Sequence, residues 1–154
     1  PFHEGDGDWF WWGAKGPETL KGLWRLMYDR YTNLHGLDNL IWVWNSPVPE
    51  CYPGDDVVDI ISRDMYPPAH QHTAQSEKLA ELRNITRQEK IALIGEIGTI
   101  PSAEALAAEQ SGWVSYMTWC GAFCTSEEFT TNEALRAMYN HPWAITKDKL
   151  PALY

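Results

Sequence analysis

Ile91-Ala92-Leu93-Ile94-Gly95-Glu96-Ile97-Gly98 is the stretch from which the fold can be read. Its four consecutive apolar residues read as a strand. The strand ends on a carboxylate, Glu96, held between two glycines. The elements on either side of it alternate. Upstream, a helix is expected across about His72 to Thr86, with Leu79, Leu82 and Ile85 inward. Before it, Val57-Val58-Asp59-Ile60-Ile61 reads as a strand that ends at Asp64-Met65-Tyr66, where Pro67 and Pro68 stop it. Downstream, Ser102 can cap a helix reaching about Gln110, and positions 113–119 read as a further strand. Thr130 with Glu133 has the spacing of a capping box for a last helix reaching about Tyr139.

The first part of the chain continues the pattern. Gly16-Pro17-Glu18 starts a helix, with proline at its first position. Leu20, Leu23, Trp24, Met27, Tyr28, Tyr31 and Leu34 follow amphipathic spacing, and Gly36 ends the helix as a left-handed cap. Leu40-Ile41-Trp42-Val43-Trp44 reads as a strand buried on both faces, and Tyr52-Pro53-Gly54-Asp55-Asp56 as a turn with room for one short helical turn. Pro1 to Glu4 reads as the end of an earlier strand. Buried strands alternating with helices predict a parallel α/β architecture. The polar residues that stand out, Glu4, Asp64, Tyr66, Glu96 and Trp119, all fall at C-terminal strand ends. That is where a (β/α)8 barrel does its chemistry. An open doubly wound sheet binds ligands there too, but no glycine-rich phosphate loop follows any strand, so no nucleotide is expected. Five strands do not close an eight-stranded barrel. The expectation is a C-terminal portion of a single TIM barrel spanning residues 1–154, supplying about strands 4 to 8 with their helices.

The composition narrows the ligand. Nine Trp and seven Tyr in 154 residues is several times ordinary usage for Trp. Such rings serve in cores and as flat stacking surfaces. The net charge of −9 argues against nucleic acid, which needs a basic footprint, and against an anionic membrane surface. No stretch reaches about 18 apolar residues, so no membrane-spanning helix is expected. A neutral polysaccharide fits better. Cys51, Cys120 and Cys124 form no regular framework. For Cys120 and Cys124, a disulfide and a pair of free buried thiols both remain open. Asp55-Asp56 lacks the rest of a calcium loop, and too few ligands lie near the cysteines for zinc.

The chemistry concentrates in Pro1-Phe2-His3-Glu4-Gly5-Asp6-Gly7-Asp8-Trp9-Phe10-Trp11-Trp12-Gly13. It places a carboxylate beside a histidine and next to a wall of rings. Glycoside hydrolysis needs one carboxylic acid to protonate the leaving oxygen and a second carboxylate to attack the anomeric carbon or activate water. Glu4 and Glu96 are the candidate pair. A single glutamate at a strand end is more commonly a cap or an ion pair; two, both flanked by glycine or aromatic residues, favour the catalytic reading. His3 can bond a sugar hydroxyl or the nucleophile. Asp64 and Tyr66 are two residues apart and share a face of an extended segment. Tyr66 can bond the nucleophile, and Asp64 can bind sugar hydroxyls or hold a neighbour. Trp119 can floor a sugar subsite, with core packing as the competing reading. Trp24, Trp42 and Trp113 are assigned to the core, and Trp44 is left undecided.

The sequence resembles glycoside hydrolase family 26, whose main members are endo-β-1,4-mannanases. His3-Glu4 through Trp9-Phe10-Trp11-Trp12-Gly13 carries the likeness, together with Leu40 to Trp44, Tyr52 to Asp56, Asp64-Met65-Tyr66, Gly95-Glu96-Ile97-Gly98 and Tyr139-Asn140-His141-Pro142. The resemblance implies a (β/α)8 barrel with Glu4 as acid/base and Glu96 as nucleophile. His3, Trp9, Tyr66 and Trp119 would line the subsite on one side of the cut, with Asp64 behind them or on the sugar. It implies a secreted or extracellular enzyme that takes β-mannan polysaccharide or oligosaccharide and uses no metal or organic cofactor. The family's earlier strands, which also bind substrate, are expected from an N-terminal half of the barrel in the same or a separate chain. A related β-glycanase acting on xylan or mixed-linkage glucan is the alternative within the family. A catalytically inactive carbohydrate-binding fragment is the alternative outside it.

Overall fold

The computed structural model describes residues 2–5 and 7–151. Its elements in chain order are α1 (Pro17–Asp29), β1 (Val43–Asn45), β2 (Ile60–Met65), α2 (Ser76–Arg83), β3 (Ile91–Ile97), α3 (Ala103–Ala108), β4 (Trp113–Thr118), α4 (Ala122–Thr125) and α5 (Asn132–Asn140). The strands form one sheet in the order β1-β2-β3-β4. β1 and β2 pair in parallel, with Val43 opposite Ile60 and Asn45 opposite Ser62. Chain order equals sheet order, with α2 between β2 and β3 and α3 between β3 and β4, as successive βα units require.

Two compact units divide the chain. The first comprises residues 1–64, 77–95 and 112–116 and holds most of the sheet. Pro17 opens α1, and Leu20 and Trp24 are its buried face. The helix loosens into a π-turn at Arg30–Leu34, and Gly36 follows at φ 63°. The core is built on indoles: Trp24 meets Trp42 at 5.8 Å and Trp44 at 5.1 Å, both edge to face. A buried indole needs an acceptor for its N–H. Trp24 donates to the Val57 carbonyl and Trp44 to the Ser46 carbonyl, each at 3.1 Å. Trp44 therefore belongs to the core, with Trp24, Trp42 and Trp113.

The second unit comprises residues 65–76, 96–111 and 117–154, and so takes the C-terminal ends of β2, β3 and β4. Ile97, Ile100, Ala103 and Met138 are buried in it. Its buried hydroxyls are satisfied by backbone. Thr99 donates to the Pro68 carbonyl at 3.1 Å, and Thr130 accepts the Ile100 amide at 3.3 Å.

Several expectations are corrected. The described residues of the opening segment form no strand. His3, Glu4 and Gly5 lie in a turn, with Glu4 at φ 48°, and Pro1 lies outside the described residues. Four strands are therefore present among the described residues, not five. The run at positions 40–44 is not buried on both faces. Trp42 and Trp44 point inward, while Ile41 is 70% exposed and Val43 38%. Val57 belongs to a 3₁₀ turn, and the next strand starts at Ile60. Thr131, not Thr130, caps α5, its hydroxyl accepting the Ala134 amide at 3.1 Å. Cys120 and Cys124 are free and exposed, neither bonded nor buried, whereas Cys51 is buried. Ser102 does cap α3, accepting the Ala105 amide.

Candidate active site

In the first unit the candidate residues gather around the end of β1. The Glu4 amide donates to the carbonyl of Asn45, the last residue of β1, at 3.0 Å. The turn carrying Glu4 is thus tied to a strand end although it is not itself a strand. One donor atom each from His3, Glu4 and Asp64 lie within 4.8 Å of one another. Among the described residues this is the one such cluster of three His, Cys, Asp or Glu side chains.

Three aromatic residues hold this corner. The Trp9 indole N–H donates to Glu4 Oε2 at 3.1 Å. The Trp12 indole N–H donates to the His3 carbonyl at 2.9 Å. Phe10 stacks on Trp12 with centroids 4.3 Å apart and planes 14° from parallel, and it packs against the His3 ring at 4.8 Å. Trp9 and Trp11 remain 63% and 68% exposed. The aromatic segment therefore divides into two braces, Phe10 and Trp12, and two open rings, Trp9 and Trp11.

The sequence reading missed Asn45. Its side-chain amide donates to Asp64 Oδ1 at 2.7 Å, while its backbone carbonyl holds Glu4. The usable signal was a polar residue ending an apolar strand. Gly95 was quoted only as a flank, yet a Cβ there would lie 2.3 Å from Asn45 Nδ2 and 2.5 Å from Asp64 Oδ1. Glycine is what leaves room for that hydrogen bond.

In the second unit, Glu96 is buried near the end of β3. The Tyr66 hydroxyl donates to Glu96 Oε2 at 2.7 Å. Tyr66 follows the last residue of β2, so strand β2 delivers the phenol and β3 the carboxylate. Trp119, just past β4, donates its amide to the Ile97 carbonyl at 3.0 Å and is 39% exposed. Its ring is available for stacking and is not in the core.

The structure thus groups His3, Glu4, Trp9 and Asp64 in the first unit and Tyr66 with Glu96 in the second. Chemically it offers a carboxyl beside indole and imidazole, and a buried carboxylate oriented by a phenol. The first suits proton transfer to and from an oxygen, and the second suits nucleophilic attack.

The model of glycosyl hydrolase family 26 matches residues 1–149. A mannan endo-1,4-beta-mannosidase of Thermothelomyces thermophilus is 40% identical over 150 residues, which is 97% of this chain and 31% of that protein. The crystal structure of the Podospora anserina GH26-CBM35 beta-(1,4)-mannanase superposes with a TM-score of 0.91 at 42% identity, covering 97% of this chain and 33% of that one. A beta-mannanase from a symbiotic protist of the termite Reticulitermes speratus, solved with a gluco-manno-oligosaccharide, gives 0.88 at 32% identity, covering 98% of this chain and 47% of that one. The chain spans about a third of the length of the first of these relatives and corresponds to the C-terminal portion of such proteins. Its fold is part of a (β/α)8 barrel.

Proposed function

The chain belongs to glycosyl hydrolase family 26, and on that premise we propose that it supplies the catalytic carboxylates of a retaining endo-β-1,4-mannanase. Glu96 attacks the anomeric carbon while Glu4 gives its proton to the departing glycosidic oxygen. A covalent glycosyl–Glu96 ester forms and the leaving sugar departs as an alcohol. Glu4, now a carboxylate, takes a proton from water, whose oxygen attacks the same carbon and frees Glu96. The product keeps the β configuration because the centre inverts twice.

The observation that carries this reading is the 2.7 Å bond from the Tyr66 hydroxyl to Glu96 at the strand end. A nucleophile must be held in one orientation through two attacks, and a fixed phenol donor does that. Trp9 does the same for Glu4. The exposed rings of Trp9 and Trp119 offer stacking faces for sugars, and His3 and Asp64 offer polar contacts to hydroxyls. Mannan is the substrate that the relatives' names support. A polymer of that size is met outside the cell, so secretion is part of the proposal.

The test is made on the full-length enzyme that contains this chain. Reducing-sugar release is measured on mannan, glucomannan, xylan and lichenan, with the anomeric configuration of the first product followed by NMR. Mannan and glucomannan are expected to be cut with retention. Glu4→Ala and Glu96→Ala should each lower kcat by orders of magnitude. Near-normal activity in either variant refutes that residue's role, and an inverted product refutes the covalent step. Preferred cleavage of xylan or lichenan would move the substrate to another β-glycan.

A further inference from the structure

We propose that Phe123 is a positioning residue for this reaction, holding the Tyr66 ring so that its hydroxyl stays on Glu96. The inference rests on the reading of Glu96 as nucleophile. All the groups involved lie in the second unit.

Tyr66 bonds the Glu96 carboxylate, yet it is 45% exposed and stands outside β2. Something must confine its ring. Phe123, from α4, packs against it with centroids 5.4 Å apart and planes inclined at 53°. Phe123 is itself backed by Phe129 at 4.2 Å. Phe129 is anchored in turn, because its carbonyl accepts the His70 amide at 2.9 Å. On the other side lies Gly98, two residues after Glu96. A Cβ there would fall 2.8 Å from Phe123 Cε1 and 3.1 Å from Tyr66 Cδ1. Both rings therefore lie directly over the backbone of the β3 exit, whose Gly98 amide donates to the Met65 carbonyl at 3.3 Å.

The chain of contact runs Phe129, Phe123, Tyr66, Glu96. A four-residue helix has no stability of its own, since nucleating a helix costs more than so few hydrogen bonds return. The packing of Phe123 thus helps to hold α4 there and limits the positions open to the phenol. Displacing a catalytic group by about 1 Å costs on the order of a hundredfold in rate. A ring that can swing away from Glu96 would show that loss in kcat, leaving substrate affinity less affected.

The experiment is a double-mutant cycle in the full-length enzyme on mannan, with kcat and KM measured separately. Phe123→Ala should lower kcat by about ten- to a hundredfold, the scale of one charge-assisted hydrogen bond, with KM changed less. Phe123→Tyr keeps the ring and should stay within about twofold of wild type. In a Tyr66→Phe background, Phe123→Ala should cost less than about twofold, because the bond it protects is already gone. Phe123→Leu carries the same cycle if the alanine variant does not fold, with folding checked by near-UV circular dichroism. Equal costs in both backgrounds, or a change in KM alone, would overturn the positioning role while leaving the nucleophile assignment standing. Wild-type kcat in both Tyr66→Phe and Glu96→Ala would overturn the nucleophile assignment and the positioning role together.

Discussion

Replacing Gly95 by alanine should damage the site without touching Glu4 or Glu96. The added Cβ would lie 2.3 Å from Asn45 Nδ2 and 2.5 Å from Asp64 Oδ1, about 1 Å inside ordinary contact. Neither atom can yield freely, because the two are bonded to each other at 2.7 Å. A hydrogen bond to a charged group contributes about 1.5–3 kcal/mol. Forcing an extra methyl into a filled space costs about 1–3 kcal/mol more. A loss of roughly 2.5–6 kcal/mol is expected if both are felt in full. Gly95 shows no positive φ, so backbone strain adds nothing. The assay is urea unfolding of the full-length enzyme, with kcat on mannan measured alongside. Asn45→Ala removes one of the obstructing groups, so Gly95→Ala should cost clearly less in that background. Unchanged stability and kcat in Gly95→Ala would refute the claim that glycine makes room for the bond. Full additivity with Asn45→Ala would refute the identity of the clash.

Two further outcomes follow from the surface chemistry. Iodoacetamide on the native protein, mapped by mass spectrometry, should mark Cys120 and Cys124 and leave Cys51 until denaturation; native labelling of Cys51 would contradict its burial. The Arg25 guanidinium hydrogen-bonds both oxygens of Asp56, at 2.8 and 3.0 Å, and holds that carboxyl below its usual range. A depressed folded value favours the ionised form, so this stabilisation is complete above the ordinary carboxylate range and fades as pH falls through the lowered value. The side chains are 47% and 65% exposed, which limits the pair to about 1 kcal/mol or less. Asp56→Asn should therefore lower the urea midpoint slightly at neutral pH, and the deficit should shrink well below about pH 4. A deficit that persists in acid would show that the ion pair is not its source.

Much of the architecture was legible because it depends on period and punctuation. Apolar runs, proline at a helix start and a serine cap are local signals, and they located β3, α1 and α3. What was lost depends on contacts distant in sequence. Thr130 and Thr131 are adjacent hydroxyls, and the capping-box spacing to Glu133 singles out Thr130 alone. Thr130 is instead committed to the Ile100 amide thirty residues away, which leaves Thr131 to cap. The run at positions 40–44 is uniformly apolar, so its pattern says nothing about which face is covered. Burial follows Trp42 and Trp44 because Trp24 of α1 meets those two rings. Asn45 and Phe123 were passed over for the same reason. A lone amide and a lone phenylalanine carry no signal until Asp64 and Tyr66 are seen against them.

In the opening aromatic segment the sequence does not disclose the conformation. A carboxylate following a histidine looks the same in sequence whether the chain is extended or turned. Glu4 adopts φ 48°, a left-handed conformation that costs a non-glycine residue roughly 1–2 kcal/mol. Such backbone survives only where surrounding contacts overdetermine it. The contacts are present: the Glu4 amide on the Asn45 carbonyl, Trp12 on the His3 carbonyl and Trp9 on the Glu4 carboxylate. The dense run of rings therefore has two functions that composition alone merges. Trp9 and Trp11 present open faces, while Phe10 and Trp12 are spent holding a strained turn in place. Asn45 joins that turn to Asp64. The carboxylate proposed as acid is thus oriented by a bracket of amide and indole donors around a turn, not by the regular geometry of a strand.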